Sequence, residues 1–190
     1  MNIKISRQII SIINSAAKTS VRPKISFSKI DAFGVTNPFT GSIELNEKLG
    51  CSVFKPLYLK KYLKHELKHA EQFQIMARYY AGEAGDVQQG LKNFKEMLGA
   101  KVLKDSRFGF IDEKYYTRVI KKDGAITKEN PLYKKAEEYI EAFNQYPDMQ
   151  KVMNKSSNQS FFEYISNLYK AKKAYKNNPL ELEAVAASKL

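Results

Sequence analysis

The stretch LKKYLKHELKHAEQF, residues 59–73, decides how this chain folds. Its apolar side chains recur every three or four positions, which places them on one face of a helix: Leu59, Leu63, Leu67, Ala70 and Phe73. Pro56 suits a first helical turn, where its missing N–H costs no hydrogen bond. Gly82 and Gly85 are typical of a helix end. The pattern predicts a long helix over about Leu57–Tyr80.

The chain's only two histidines lie in this helix, in the order His65-Glu66-Leu67-Lys68-His69. Residues four apart project from the same helical face, so two imidazoles at this spacing can hold one Zn²⁺. Glu66 lies between them and can accept a proton from a zinc-bound water. A structural zinc is disfavoured because such sites are usually closed by cysteines or a fourth side chain. The motif predicts a zinc hydrolase, with a peptidase favoured.

The third metal ligand has to be a carboxylate or a cysteine, since no histidine remains. Cys51 precedes the helix, although a single cysteine is more often simply buried. Glu83 qualifies if the chain folds back at Gly82. Glu181 and Glu183 lie in the segment NPLELEA, residues 178–184.

That C-terminal segment has the features of a helix start. Asn178 is a suitable N-cap and Pro179 a suitable first helical residue. Glu181 then projects from the first turn. Ala184 lies on the same face and is small enough for this helix to press against the histidine helix. The plain alternative is a carboxylate that stabilises a helix N-terminus.

The histidine motif followed by Glu181-x-x-Ala184 resembles the gluzincins, a class of zinc metallopeptidases. The resemblance implies a zincin-like fold, with His65, His69 and Glu181 as zinc ligands, Glu183 as a substitute and Glu66 as general base. It departs at Val185, where the family often has an aspartate that supports the site. Small chains of this pattern are similar to minigluzincins, some of them encoded by phages and mobile elements.

The remaining sequence predicts an α+β fold with its strands in the first quarter. Alternating segments indicate strands at Lys24–Ser28, Ala32–Val35 and Ser42–Asn46. Helices are expected near Ile3–Ala17, Asp86–Leu98, Asp112–Lys121, Pro131–Tyr146, Ser160–Lys176 and Pro179–Lys189. The resemblance implies one domain over residues 1–190, with a helical insertion at about 86–176. It also implies that Gly41–Asn46 is an edge strand to which a peptide substrate adds as a further strand.

Tyr175 is the tyrosine chosen as a candidate catalytic group. A phenol near the metal can stabilise an oxyanion, and Tyr175 is close in sequence to Glu181. Most of the other tyrosines are expected to be interior or rim aromatics.

Composition limits the compartment and the partners. The single cysteine excludes an internal disulfide framework, and no signal peptide or membrane span is evident, which favours the cytosol or packaging in a phage particle. The net charge of +12 favours weak contact with polyanions, although the scattered lysines are typical of solvated helix faces. An alternative function is therefore a structural or virion-packaged protein that retains a zincin scaffold for assembly or nucleic-acid contact. A toxin-like effector is a further possibility.

Overall fold

The structure is a computed structural model that describes residues 11–12, 21–50, 56–102, 111–146 and 161–189. Within these ranges the chain forms a small sheet followed by helices, so the predicted α+β class is confirmed. The strands are β1 (Ile25–Ser28), β2 (Gly34–Thr36) and β3 (Ile43–Asn46), and a 3-10 helix covers Glu47–Gly50. The helices are α1 (Pro56–Ala84), α2 (Val87–Val102), α3 (Glu113–Asp123), α4 (Tyr133–Asn144), α5 (Phe161–Lys176) and α6 (Pro179–Lys189).

Strand β3 is the centre of the sheet, which corrects the prediction that it is an edge strand. It pairs in parallel with β1 and antiparallel with β2, giving the order β1-β3-β2. Its inward side chains Ile43 and Leu45 are fully buried, as a central position requires. Among the described strands, β2 is the edge next to the histidine helix, and its Thr36 contacts that helix directly.

Helix α1 runs for 29 residues and joins two hydrophobic clusters. Its first half packs against the sheet, with Leu63 and Leu67 beside Ile43 and Leu45. Its second half lies in a larger cluster made by the later helices, which includes Met76, Phe94, Tyr116 and Leu180. The histidine motif therefore lies at the junction between the two clusters.

The glycines near the end of α1 have different roles. Gly85 has a positive φ of 62° just after the helix, a conformation that favours glycine. Gly82 remains inside the helix, where an added Cβ would lie 2.0 Å from the carbonyl oxygen of Ile126. Gly82 is therefore needed for close packing, and the predicted turn-back at that residue is wrong.

The other predicted elements agree with the structure within a few residues, and the bounds of α6 match exactly. The predicted helix at Ile3–Ala17 lies outside the described residues, apart from Ser11 and Ile12, which are helical. No helix in the described ranges combines the length and apolarity needed to cross a bilayer.

Candidate metal centre

His65 and His69 project from the same face of α1, one helical turn apart. Their Nε2 atoms are 3.2 Å apart, and the rings meet edge to face. His69 is buried, whereas His65 is partly accessible. The two nitrogens that converge are those that a shared metal ion would take.

Glu181 completes this group from the start of α6. Its Oε2 lies 3.5 Å from His65 Nε2, and its Oε1 lies 3.3 Å from His69 Nε2. Among the described residues, these three side chains form the group of His, Cys, Asp and Glu residues able to hold a metal ion, with all ligand atoms within 4.8 Å of one another.

Packing at the beginning of α6 explains how Glu181 reaches the histidines. Leu180 is buried in the helical cluster, and Ala184 is fully buried on the face predicted to approach α1. Asn178 Oδ1 accepts the main-chain N–H of Leu180 at 3.0 Å, as an N-cap does. Its Nδ2 donates to the carbonyl of Ala142 at 2.7 Å, which attaches α6 to α4.

The spacing of the three side chains fits a tetrahedral metal ion. In a regular tetrahedron two ligand atoms are separated by about 1.63 times the metal–ligand distance, so zinc bonds of about 2.0–2.1 Å place ligand atoms about 3.3 Å apart. The distances found are 3.2, 3.3 and 3.5 Å. Two imidazoles and one carboxylate are also a donor set that zinc accepts, and they leave a fourth position for a water or substrate.

Glu181 and His69 shift each other's pKa values. Burial acts to raise the pKa of Glu181, but the close imidazoles of His65 and His69 outweigh it and hold that pKa well below its usual range. Burial acts to lower the pKa of His69, and the adjacent Glu181 carboxylate reverses the direction, so this pKa is raised. A divalent cation would replace the positive charge that the histidines otherwise supply.

Glu66 is buried between α1 and the edge strand. Thr36 Oγ1 lies 2.8 Å from Glu66 Oε2 and 2.9 Å from its main-chain carbonyl oxygen. Gly34 leaves room for this carboxylate, since a Cβ there would lie 2.8 Å from Glu66 Cγ. Burial raises the pKa of Glu66, against the lowering effects of His69 and Thr36. A carboxylate with a raised pKa is suited to accept and return a proton.

Tyr175 lies on the Glu181 side of this group, next to Tyr146. Tyr146 donates to Glu181 Oε1 at 2.8 Å, and its ring centroid is 5.5 Å from that of Tyr175. Burial and the adjacent Glu181 raise the pKa of both phenols well above its usual value, so both remain proton donors. Tyr146 was missed because no spacing in the sequence connects it with the histidine motif.

Gln72 and Glu183 form a second polar layer that the sequence did not suggest. Gln72 Oε1 is 2.9 Å from His69 Nδ1, and Gln72 Nε2 donates to Glu183 Oε2 at 3.1 Å. Glu183 also accepts from Lys135 and Tyr139, at 2.8 and 2.6 Å. Although burial opposes it, these bonds lower the pKa of Glu183 to about 2.

Neither of the alternative glutamates joins the group. Glu183 is occupied by its own partners, as described above. Glu83 lies near the far end of α1, about 20 Å from His69 along the axis at about 1.5 Å per residue, and accepts from Tyr133. Because the helix continues through Gly82, the proposed approach of Glu83 is wrong. Cys51 lies outside the described residues.

No protein-family model matches the chain, and neither a curated protein nor a solved structure is recognisably similar to it.

Proposed function

We propose that this protein is a zinc-dependent hydrolase, and specifically a peptidase. The observation that carries this proposal is the convergence of His65, His69 and Glu181 at tetrahedral spacing, with the buried carboxylate of Glu66 in the adjacent helical position. A metal held only for stability would not need an acid–base group beside it, nor an open fourth position.

Each side chain has a distinct part in this function. His65, His69 and Glu181 would hold the ion, which when bound lowers the pKa of water and polarises a substrate carbonyl. Glu66 accepts a proton from the attacking water and returns it to the leaving amine. Thr36 orients Glu66 by contacting Oε2, and Gly34 keeps space open behind it.

Tyr175 would act on the developing negative charge of the substrate. In addition to partial burial, the nearby Glu181 carboxylate raises the pKa of the Tyr175 phenol, and the residue is 41% exposed and so accessible to a bound peptide. A phenol that stays protonated can donate a hydrogen bond to an oxyanion as charge develops there. Tyr146 is more enclosed and is assigned to holding Glu181.

The edge strand β2 supports a peptide as substrate. Thr36, the last residue of β2, contacts Glu66, so a strand added along β2 would pass the candidate centre. Beside it, Phe33 stacks on Tyr62 with ring centroids 4.3 Å apart, and Phe33 is 51% exposed. This aromatic pair offers an apolar contact for a substrate side chain.

Glu66→Gln is the variant that tests the hydrolase proposal. Purified wild-type protein loaded with zinc should cleave members of a complex peptide mixture, as read by mass spectrometry. Glu66→Gln should retain one zinc per chain and lose cleavage by about 10²–10⁴-fold, the usual contribution of a general base. Glu44→Gln, an exposed substitution on β3, is the matched control. Equal cleavage by Glu66→Gln and wild type would contradict the proposal.

A second candidate function, polyanion contact in an assembly, is favoured by one surface. Helix α5 carries Lys170, Lys172, Lys173 and Lys176, all exposed, and residues 164–180 contain no aspartate or glutamate. Tyr169 on the same helix is 69% exposed and can stack on a base.

The two functions separate experimentally. Binding of single-stranded DNA that weakens steeply with salt, is lost when the four lysines are changed to glutamine, and is unaffected by Glu66→Gln would favour the second. Binding that survives the lysine changes would remove this surface from consideration.

A further inference from the structure

Gln72 is placed where it can determine which nitrogen of His69 carries a proton. It lies three residues after His69 on α1 and is 1% exposed, so its amide has no access to bulk water. Its Oε1 is 2.9 Å from His69 Nδ1. Its Nε2 is 3.2 Å from the carbonyl oxygen of Leu180 and 3.1 Å from Glu183 Oε2.

The partners of Gln72 allow only one orientation of its amide. A main-chain carbonyl and a carboxylate can only accept hydrogen bonds, so the NH₂ group must face Leu180 and Glu183. Flipping the amide would place its oxygen against both acceptors in a buried position, so that the Leu180 carbonyl and Glu183 would lose these hydrogen bonds.

Glu183 is fixed as an acceptor by cations on two other parts of the molecule. Lys135 from α4 donates to its Oε1 at 2.8 Å, and Lys68 from α1 lies 3.3 Å from the same atom. Tyr139 donates to its Oε2 at 2.6 Å. The carboxylate thus keeps its charge, and the amide of Gln72 keeps its orientation.

From this chain of contacts we infer that Gln72, oriented by Glu183, is a positioning residue that holds His69 as the Nδ1–H tautomer and leaves Nε2 free for a metal ion placed between His65 and Glu181. The benefit for metal binding rests on the proposed function. In the metal-free protein the Glu181 carboxylate, 3.3 Å from His69 Nε2, competes for the ring proton, so the tautomer of His69 shows directly whether Gln72 sets it.

The amide of Gln72 supplies the acceptor for His69 from the same helix as the histidine. Such outer partners of a ligating imidazole typically change metal affinity by about 10–100-fold when removed.

The tautomer of His69 also determines which nitrogen of His65 carries a proton. Its Nε2 is 3.2 Å from His69 Nε2, and two lone pairs would repel at that distance. If His69 presents a lone pair, His65 must present an N–H when no metal is bound. The two histidines of the chain are therefore expected to be opposite tautomers in the metal-free protein.

The test is nitrogen-15 NMR of the imidazoles in metal-free protein at pH 9. Because the chain has only two histidines, long-range proton–nitrogen spectra resolve both rings. Wild type should show His69 protonated at Nδ1 and His65 at Nε2, and Gln72→Met should shift His69 toward a mixture of tautomers. His69 found as the Nε2–H form in wild type, or unchanged by Gln72→Met, would overturn the inference.

Gln74→Met is the matched control for loss of a buried amide. Gln74 lies on the same helix, is also buried, and donates to the carbonyl of Val21 and to Tyr115, at 2.8 and 2.6 Å. This variant should lose stability but keep the wild-type tautomers and zinc affinity. If it shifts His69 as much as Gln72→Met does, the effect is general loosening of α1 and the inference fails.

An exchange of the two groups provides a rescue. Gln72→Glu alone opposes two carboxylates and should weaken zinc binding, measured by competition with a chelator. Adding Glu183→Gln restores a donor facing an acceptor at this contact and should recover most of the affinity and the Nδ1–H form. Failure to recover the tautomer would contradict the relay, whereas wild-type tautomers without any zinc binding would contradict the proposed function alone.

Discussion

The two helices that form the candidate metal centre contribute to it in different ways. Helix α1 supplies His65, Glu66 and His69 from one turn, so helical geometry alone sets their relative positions. Helix α6 supplies Glu181 from near the end of the chain, and nothing local fixes its distance from the histidines. Its position depends on buried Leu180 and Ala184 and on the bonds of Asn178.

This difference implies that the α6 half is the more easily disturbed. Two imidazoles stay together as long as α1 is helical, whereas Glu181 can be displaced by changes that never touch a metal ligand. Changes to Glu181, its packing and its hydrogen bond test the α6 half, and a change beside Glu66 tests the α1 half.

Removing Glu181 should have the largest effect. Glu181→Ala leaves two imidazoles, and zinc affinity should fall by more than about 100-fold, beyond the range typical of an outer partner. Titration against a chelator measures it. Leu182→Ala, an exposed neighbour on α6, should leave the affinity unchanged. A zinc affinity within threefold of wild type for Glu181→Ala would show that another group is the third ligand.

Weakening the packing of α6, without changing a metal ligand, should have the second largest effect. Leu180 is 1% exposed, and Leu180→Ala should lower the free energy of unfolding by about 2–5 kcal/mol. Zinc should also bind more weakly, while still binding to the intact histidines. Denaturant titration with and without zinc measures both quantities, and Leu57→Ala on the exposed start of α1 is the control. Lost stability with unaltered zinc affinity would contradict the dependence on packing.

Displacing the Glu66 carboxylate should reduce peptide cleavage without removing zinc from the histidines. A Cβ at Gly34 would lie 2.8 Å from Glu66 Cγ and 3.0 Å from Oε1, so Gly34→Ala must displace the carboxylate. Peptide cleavage should fall by about 10-fold or more, part of what a general base contributes, with zinc stoichiometry maintained. Glu44→Gln, an exposed change on β3, should leave both unchanged. Full activity in Gly34→Ala would argue against Glu66 as the base.

Removing the hydroxyl of Tyr146 should have the smallest effect. Tyr146→Phe deletes one hydrogen bond to Glu181, which should cost about 1.5–3 kcal/mol in stability because the acceptor is charged. Zinc affinity should fall by no more than about 10-fold, since His65 and His69 remain. Tyr169→Phe, on the exposed face of α5, should change neither value. A loss as large as that of Glu181→Ala would assign Tyr146 a more direct role.

The same contrast explains which features the sequence could predict. Periodicity and capping residues are local signals, and they predicted α1 and the exact bounds of α6, whereas the proximity of Glu181 to the histidines was implied by the resemblance to the gluzincins. The order of the strands is a long-range property, so the central position of β3 was not foreseen. Gln72 and Tyr146 were missed for that reason, since a buried polar side chain and a solvated one look alike in sequence, and Glu183 was considered only as a substitute ligand.

Gly82 shows how a local signal can mislead. Glycine after an apolar stripe usually ends a helix, and it predicted a turn that would bring Glu83 back toward His69. The close carbonyl of Ile126 gives the glycine a different purpose, which no spacing along the chain reveals. The error arose where tertiary contact, rather than backbone preference, selected the residue.

The most direct test of the whole account is a crystal structure of the zinc-loaded protein, with the ion located by anomalous scattering at the zinc edge. One ion should lie about 2.0–2.1 Å from a nitrogen of His65 and of His69, and about 2.0–2.2 Å from an oxygen of Glu181. Glu183 should remain with Gln72 and Lys135. Zinc bound at another site, or at the histidines with Glu181 turned away, would contradict the account.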